Sequence, residues 1–142
     1  MNKDLDDLLC QRYPRIFALR HGRVEETGMC WGFCCGDGWF ALIDSLCACL
    51  QFETDHNNAP QIVATQVKEK FGDLRFYVSK APGAASERQL AMIDFAREFS
   101  TRLCVECGSA GLRFQVQGGG YVTRCPEHAP QGAEPANDTL KW

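Results

Sequence analysis

The chain reads as an α+β fold: two main helices on a small antiparallel sheet, finished by a compact cysteine-rich unit at the C-terminal end. Three observations carry this reading. Apolar residues recur at helical spacing over 38–52 and again over 86–103. Between these stretches, 62–70 and 74–79 alternate in polarity around Phe71-Gly72-Asp73, the pattern of a hairpin. Beyond the second helix, Cys104-Val-Glu-Cys107 and Cys125-Pro-Glu-His128 form two pairs separated by seventeen residues.

From the N-terminus, 4–12 predicts a short helix with Leu5, Leu8 and Leu9 on one face, acidic residues in its first turn and Pro14 as its stop. Ile16, Phe17, Ala18 and Leu19 read as a strand, followed by the basic turn Arg20-His21-Gly22-Arg23. Asp37 is placed to cap the helix over 38–52, whose inner face is Trp39, Leu42, Ile43, Leu46, Cys49 and Leu50. A loop over 55–60 leads to the hairpin. There Val63, Thr65 and Val67 alternate with polar neighbours, as do Leu74, Phe76 and Val78 with Arg75 and Tyr77. Ser86 and Gln89 make a capping box for the second long helix, with Met92, Phe95, Ala96, Phe99 and Leu103 as its buried face. That helix runs almost directly into Cys104, so the last unit is expected to pack rigidly on the core. The expected division is a core over 1–103, the cysteine-rich unit over 104–128 and a mobile tail over 129–142, with Trp142 at its end as a docking residue.

The two cysteine pairs predict a zinc site. A C-x2-C turn offers two thiolates from one tight backbone, and C-x2-H adds a thiolate and an imidazole at the same spacing. Gly118-Gly119-Gly120 supplies a hairpin tip between the pairs, completing a zinc ribbon. With Cys104, Cys107, Cys125 and His128 all ligating, no coordination position is left for water or substrate, which is the pattern of a structural ion.

Composition narrows the field of functions. The 142 residues are 45% hydrophobic and 23% charged, with a net charge of −3, so no global field draws the chain to nucleic acid. The nine cysteines are odd in number and the N-terminus is polar and acidic, which together suggest a reduced, cytoplasmic protein. Cys30, Cys34, Cys35, Cys47 and Cys49, with Cys10 upstream, could form a second metal site, but their spacings are not those of a knuckle, and small apolar filler is the simpler reading. Cys34 and Cys35 stand out because they precede a helix N-terminus, where a thiolate is stabilised. There is no Gly-rich phosphate loop, HExxH or GxSxG. Local basic groups exist at Arg12, Arg15, Arg20, His21 and Arg23, and at Lys68, Lys70, Arg75 and Lys80; in the ribbon, three arginines face two glutamates. Arg75 and Tyr77, on the strand face turned from the core, are of types enriched at binding hot spots.

Cys35-Gly36-Asp37-Gly38-Trp39-Phe40, then 67–78 with Lys-Glu-Lys-Phe-Gly and Leu-Arg-Phe-Tyr, then the two knuckles, resemble a group of small phage, prophage and bacterial proteins with these motifs in this order. The resemblance covers roughly residues 10 to 130 and implies a phage or mobile-element context, with no catalytic residue to carry over. The expectation is therefore a non-catalytic, zinc-stabilised protein that binds a protein or protein complex of the bacterial host in the host cytoplasm. An accessory protein or an inhibitor of a host defence complex, such as an anti-CRISPR, is the concrete form of that expectation. Arg75, Tyr77, Arg15, Arg20 and Arg23 are its candidate partner-binding residues. The alternative is a nucleic-acid-binding regulator using the ribbon and the basic residues, and the third reading is a thiol-dependent enzyme at Cys34 or Cys35.

Overall fold

A computed structural model describes residues 1–136. Helix α1 (Lys3–Arg12) is followed by turns and a short 3-10 turn (Gly28–Trp31), then strand β1 (Phe33–Cys34) and helix α2 (Phe40–His56). Strands β2 (Ala64–Lys70) and β3 (Asp73–Val78) form the hairpin, helix α3 (Glu87–Ser100) follows, and β4 (Leu112–Val116) with β5 (Gly120–Arg124) makes a second hairpin. The architecture is α+β. One sheet has the order β1-β2-β3 and the other is β4-β5.

The local signals explain most of this. Asn2 caps α1 by accepting from the Leu5 amide at 3.0 Å. Ser86 and Gln89 form the reciprocal capping box of α3, at 3.2 and 2.9 Å. Phe71 and Gly72 both have positive φ, 58° and 80°, the conformation of a two-residue turn whose twist matches the strands it joins. Glu69 braces that turn by accepting from the Gly72 amide at 2.7 Å.

Other elements differ from expectation. Ile16 and Phe17 are buried, but through successive turns and not in a strand: the Phe17 amide bonds the Tyr13 carbonyl at 3.0 Å, and the Ile16 carbonyl accepts from the Ala64 amide at 2.8 Å. Asp37 does not cap α2. It sits in a 3-10 turn (Asp37–Trp39), and its carboxylate accepts from the backbone and side-chain amides of Asn2 at 2.6 and 2.7 Å. The helix then continues to His56, into the expected loop. In β2 a register shift between Ala64 and Gln66 breaks the alternation, so Ile62, Ala64 and Val67 are buried in place of Val63 and Thr65. β1 pairs parallel to β2, Phe33 with Val67 and Cys34 with Lys68, an addition too short to show a period in the sequence.

The core lies between the inner face of the first sheet and the helices, and includes Leu9, Phe33, Trp39, Ile43, Leu50, Val67, Leu74, Phe76 and Ala96. Each large side chain there stabilises the fold by about 1.5–3 kcal/mol relative to exposure. α3 packs beside β3, and Ser100 accepts from the Leu74 amide at 2.8 Å. The buried line of α3 is Gln89, Ala96 and Ser100, with Met92 and Ile93 half-buried; Phe95 and Phe99, expected inside, face outward. The first part of the expected tail lies along the ribbon, where Pro135 bridges Phe114 and the Ala136 amide bonds the Arg113 carbonyl at 2.8 Å. Trp142 lies outside the described residues.

Candidate metal centre

Two tight turns bring the four candidate ligands together. In the first, the Gly108 amide bonds the Cys104 carbonyl at 2.8 Å and the Cys104 amide bonds the Ser109 carbonyl at 2.8 Å, with Gly108 at φ +75°. In the second, Pro126 opens a 3-10 turn (Pro126–His128) that returns the His128 amide to the Cys125 carbonyl at 3.1 Å. The β4–β5 hairpin, reversing through Gly118 and Gly119 at positive φ, sets these turns side by side. The Val105 amide fastens the first to β5 through the Thr123 carbonyl at 3.1 Å.

The four ligand atoms all lie within 4.8 Å of one another. Cys107 Sγ and Cys125 Sγ are 3.7 Å apart, and His128 Nδ1 is 3.6 Å from Cys104 Sγ and 3.2 Å from Cys125 Sγ. A tetrahedron with metal–sulfur bonds of about 2.3 Å and a metal–nitrogen bond of about 2.0 Å has edges of roughly 3.8 and 3.5 Å, so the donor set fits a single tetrahedral ion. Cys104 and Cys125 are buried; Cys107 and His128 form the outer wall. Hydrogen bonds from Ser109 hold the Cys107 thiol down at about 6, which favours the thiolate that a metal requires. Desolvation pushes the Cys125 thiol up.

The unit is seated in the core by backbone contact. A Cβ on Gly36 would lie 2.1 Å from the Val105 carbonyl oxygen, and one on Gly38 would lie 2.3 Å from that of Cys104. The Gly38 amide donates to the Val105 carbonyl at 3.0 Å, and Trp39 Nε1 to the Leu103 carbonyl at 3.0 Å. On the other side, Thr123 Oγ1 donates to the Gly72 carbonyl at 2.5 Å and Arg113 to that of Phe71 at 3.0 Å. Residues of both internal motifs, the one around Gly36–Trp39 and the one around Phe71–Gly72, thus form the socket of the ribbon, a role that periodicity alone does not reveal.

The remaining candidate residues are dispersed. Arg15 pairs with Asp55, Arg23 with Glu25, and Arg20 with buried Asp6 at 2.8 Å. Arg12 pairs with Asp44. The segment expected to form a basic patch is therefore neutralised along its length, and Arg20 is an internal strut. Arg75 lies 2.8 Å from Asp73 in an ionic contact without hydrogen-bond alignment. Tyr77 is exposed, with Lys68 Nζ 5.7 Å from its ring centroid. In the ribbon, Arg124 pairs with Glu106 at 2.9 Å and Arg113 lies over the Tyr121 ring.

Among the described residues the other cysteines form no second ligand cluster. Cys47 is buried filler, whereas Cys34 and Cys49 are exposed, contrary to a uniform filler role. Burial pushes the Cys35 thiol up to about 12, so proximity to a helix start does not yield a thiolate there. His56 stacks on Phe52 and turns Nδ1 to the Phe52 carbonyl.

Among the described residues, no helix is long and apolar enough to cross a membrane. Comparison with protein-family models, with curated proteins and with solved structures returns no match for this chain.

Proposed function

We propose that the protein is a non-catalytic binding protein whose Cys/His centre holds a structural zinc ion, and that it docks a partner protein on the open face of its β1-β2-β3 sheet. Three thiolates and an imidazole at tetrahedral spacing suit zinc over hard cations, which prefer oxygen ligands. With all four positions filled by protein, the ion's part is to hold the ribbon against the core.

The observation that carries the binding reading is the composition of the outer sheet face. Cys34, Lys68 and Arg75 form one row across the three strands, and Gln66 pairs with Tyr77 in the next. Cys34 and Tyr77 are exposed, and Trp31, just before β1, is 68% exposed. Tyr and Trp side chains beside an Arg are the types enriched at protein hot spots. Lys68 and Arg75 are the charges of these two rows, Asp73 lying opposite Lys70 beyond them and Glu25 and Glu26 bordering the cleft at Tyr77, so a partner with acidic groups over the Lys68–Arg75 row fits. The resemblance to phage and prophage proteins, and that alone, directs the search for the partner to host complexes, defence assemblies first.

A second reading, single-stranded nucleic acid, draws on the same Tyr77–Lys68 pair, since an exposed ring beside a cation can stack on a base. The ion-paired arginines of 12–23, and Arg124 of the ribbon, count against it. The test is a tagged pull-down from bacterial host lysate, with and without nuclease, using wild type and a Lys68→Glu/Tyr77→Ala double variant of equal thermal stability. A stoichiometric protein retained after nuclease and lost in the variant is the expected result. Recovery that vanishes with nuclease puts nucleic acid first, and equal retention by the variant removes the sheet face from the reading.

A further inference from the structure

α2 and α3 lie side by side, and the surface they share is apolar to an extent the core does not explain. Between them runs a groove of about 350 Å³ walled by Leu42, Leu46, Cys49, Met92 and Phe95. Past Phe95 it continues toward the ribbon junction, where Phe99 and Leu103 border a second cleft. Phe95 is 69% exposed and Phe99 41%, their rings stacked with centroids 5.9 Å apart. On α2, Ala41, Ser45, Ala48, Cys49 and Phe52 are all exposed and fall on one stripe by helical spacing. Of the acidic side chains of α2, Asp44 pairs with Arg12 and Asp55 with Arg15 away from the groove, and buried Glu53 pairs with Arg88 at the groove's end. A helix apolar on two sides is one whose second side is also covered.

We propose that this face is covered by a second copy of the chain in a two-fold symmetric dimer. An isologous interface requires one patch to carry both halves of the fit. This one does: Phe95 and Phe99 project from α3, and the small side chains Ser45, Cys49 and Ala91 beside them leave the groove that such rings fill. Size agrees as well. The seventeen residues of α2 rise about 25 Å, and two packed helices are roughly 20 Å wide, so the face projects ~500 Å². Two such faces together bury ~1,000 Å², which reaches the lower bound for a specific interface. Charge points the same way. The stripe is uncharged, with Arg88 at one end engaged by Glu53, so a charged ligand finds no counter-ion there while a copy of the same face meets no repulsion. Asp94 and Glu98, exposed on α3 beside the stripe, supply a polar rim.

The test is sedimentation velocity on the full metal-loaded chain, comparing wild type with Phe95→Glu and with Ala48→Arg. Both substitutions lie at exposed helical positions that tolerate the new residue, so thermal midpoint and zinc content serve as fold controls. Wild type is expected to be mostly dimeric at about 50 µM, with each variant weakening association by ~100-fold or more, as for a central hot spot. A wild-type chain that stays monomeric at that concentration overturns the dimer, as does a variant that associates like wild type. A monomeric chain that loses a captured host protein only in Phe95→Glu overturns it too, assigning the groove to a different protein. The sheet-face variant Lys68→Glu/Tyr77→Ala is expected to remain dimeric, which separates this proposal from the binding reading above.

Discussion

The core cluster draws on every helix and on all three strands of the first sheet, whereas the ribbon buries little of its own beyond Phe114, Val105, Thr123 and two of its candidate ligand cysteines. The first region gains its stability from apolar area removed from water; the second is too small to do so and relies on its seat in the first and, on the reading proposed above, on coordination by its four clustered side chains. Where the two meet, contact is made by backbone more than by side chain. Gly36 and Gly38 bring the chain against the Cys104–Gly108 turn, and Val105 alone of the ribbon's early residues reaches into the core cluster. The cysteine-rich unit and the apolar core thus become one body through two glycines and a tryptophan on one side and the Phe71-Gly72 turn on the other.

The sharpest way to break this comparison is to remove the proposed ion. Cys125→Ser, or chelation of the wild-type chain, is expected to abolish amide protection in β4 and β5 while α1–α3 remain protected. Apparent metal-binding energies of about 10–16 kcal/mol in small zinc units set the scale of the loss. Hydrogen exchange read by mass spectrometry separates the two regions directly; a ribbon that stays protected without metal would refute the division.

Trp39→Ala attacks the other side. It empties a fully buried site and deletes the indole bond to Leu103, and is expected to cost about 3–5 kcal/mol in urea unfolding. Here the core should lose protection first. Gly36→Ala tests the seam alone, because φ −76° is acceptable to alanine and only the 2.1 Å approach to the Val105 carbonyl is at stake. A loss of about 1–3 kcal/mol is expected, together with weaker metal retention in a competition assay although no ligand is altered. Unchanged metal affinity would mean that the two regions are merely adjacent.

The smallest effect concerns acid. The Asn2 backbone amide, then its side-chain amide, hold the Asp37 carboxyl below its ordinary range. A carboxyl depressed in the folded state stabilises above its unfolded value of about 3.9 and loses that contribution as pH falls through the folded value. Asp37→Asn is therefore expected to be slightly less stable than wild type at neutral pH, with the difference closing below about pH 4. Thermal midpoints at pH 7 and pH 3 check the sign.

What the chain determined by itself is local. The capping box at Ser86 and Gln89, the Phe71-Gly72 reversal and the ligand spacing of 104–128 each rest on residues a few positions apart, where geometry follows from the backbone alone. The helices were legible because 3.6-residue periodicity survives in any context, but which face of α3 turns inward was not. Apolar residues occupy more than half of that helix's circumference, so Phe95 and Phe99 could be placed only once β3 had met the Ala96–Ser100 side. The same holds for Arg20, whose partner Asp6 lies on another element, and for β2, where one extra residue re-phases the strand. Gly36 and Gly38 look like turn residues until Val105 and Cys104 are brought against them. These features depend on distances between segments far apart in the chain, which tertiary packing sets and no local pattern encodes.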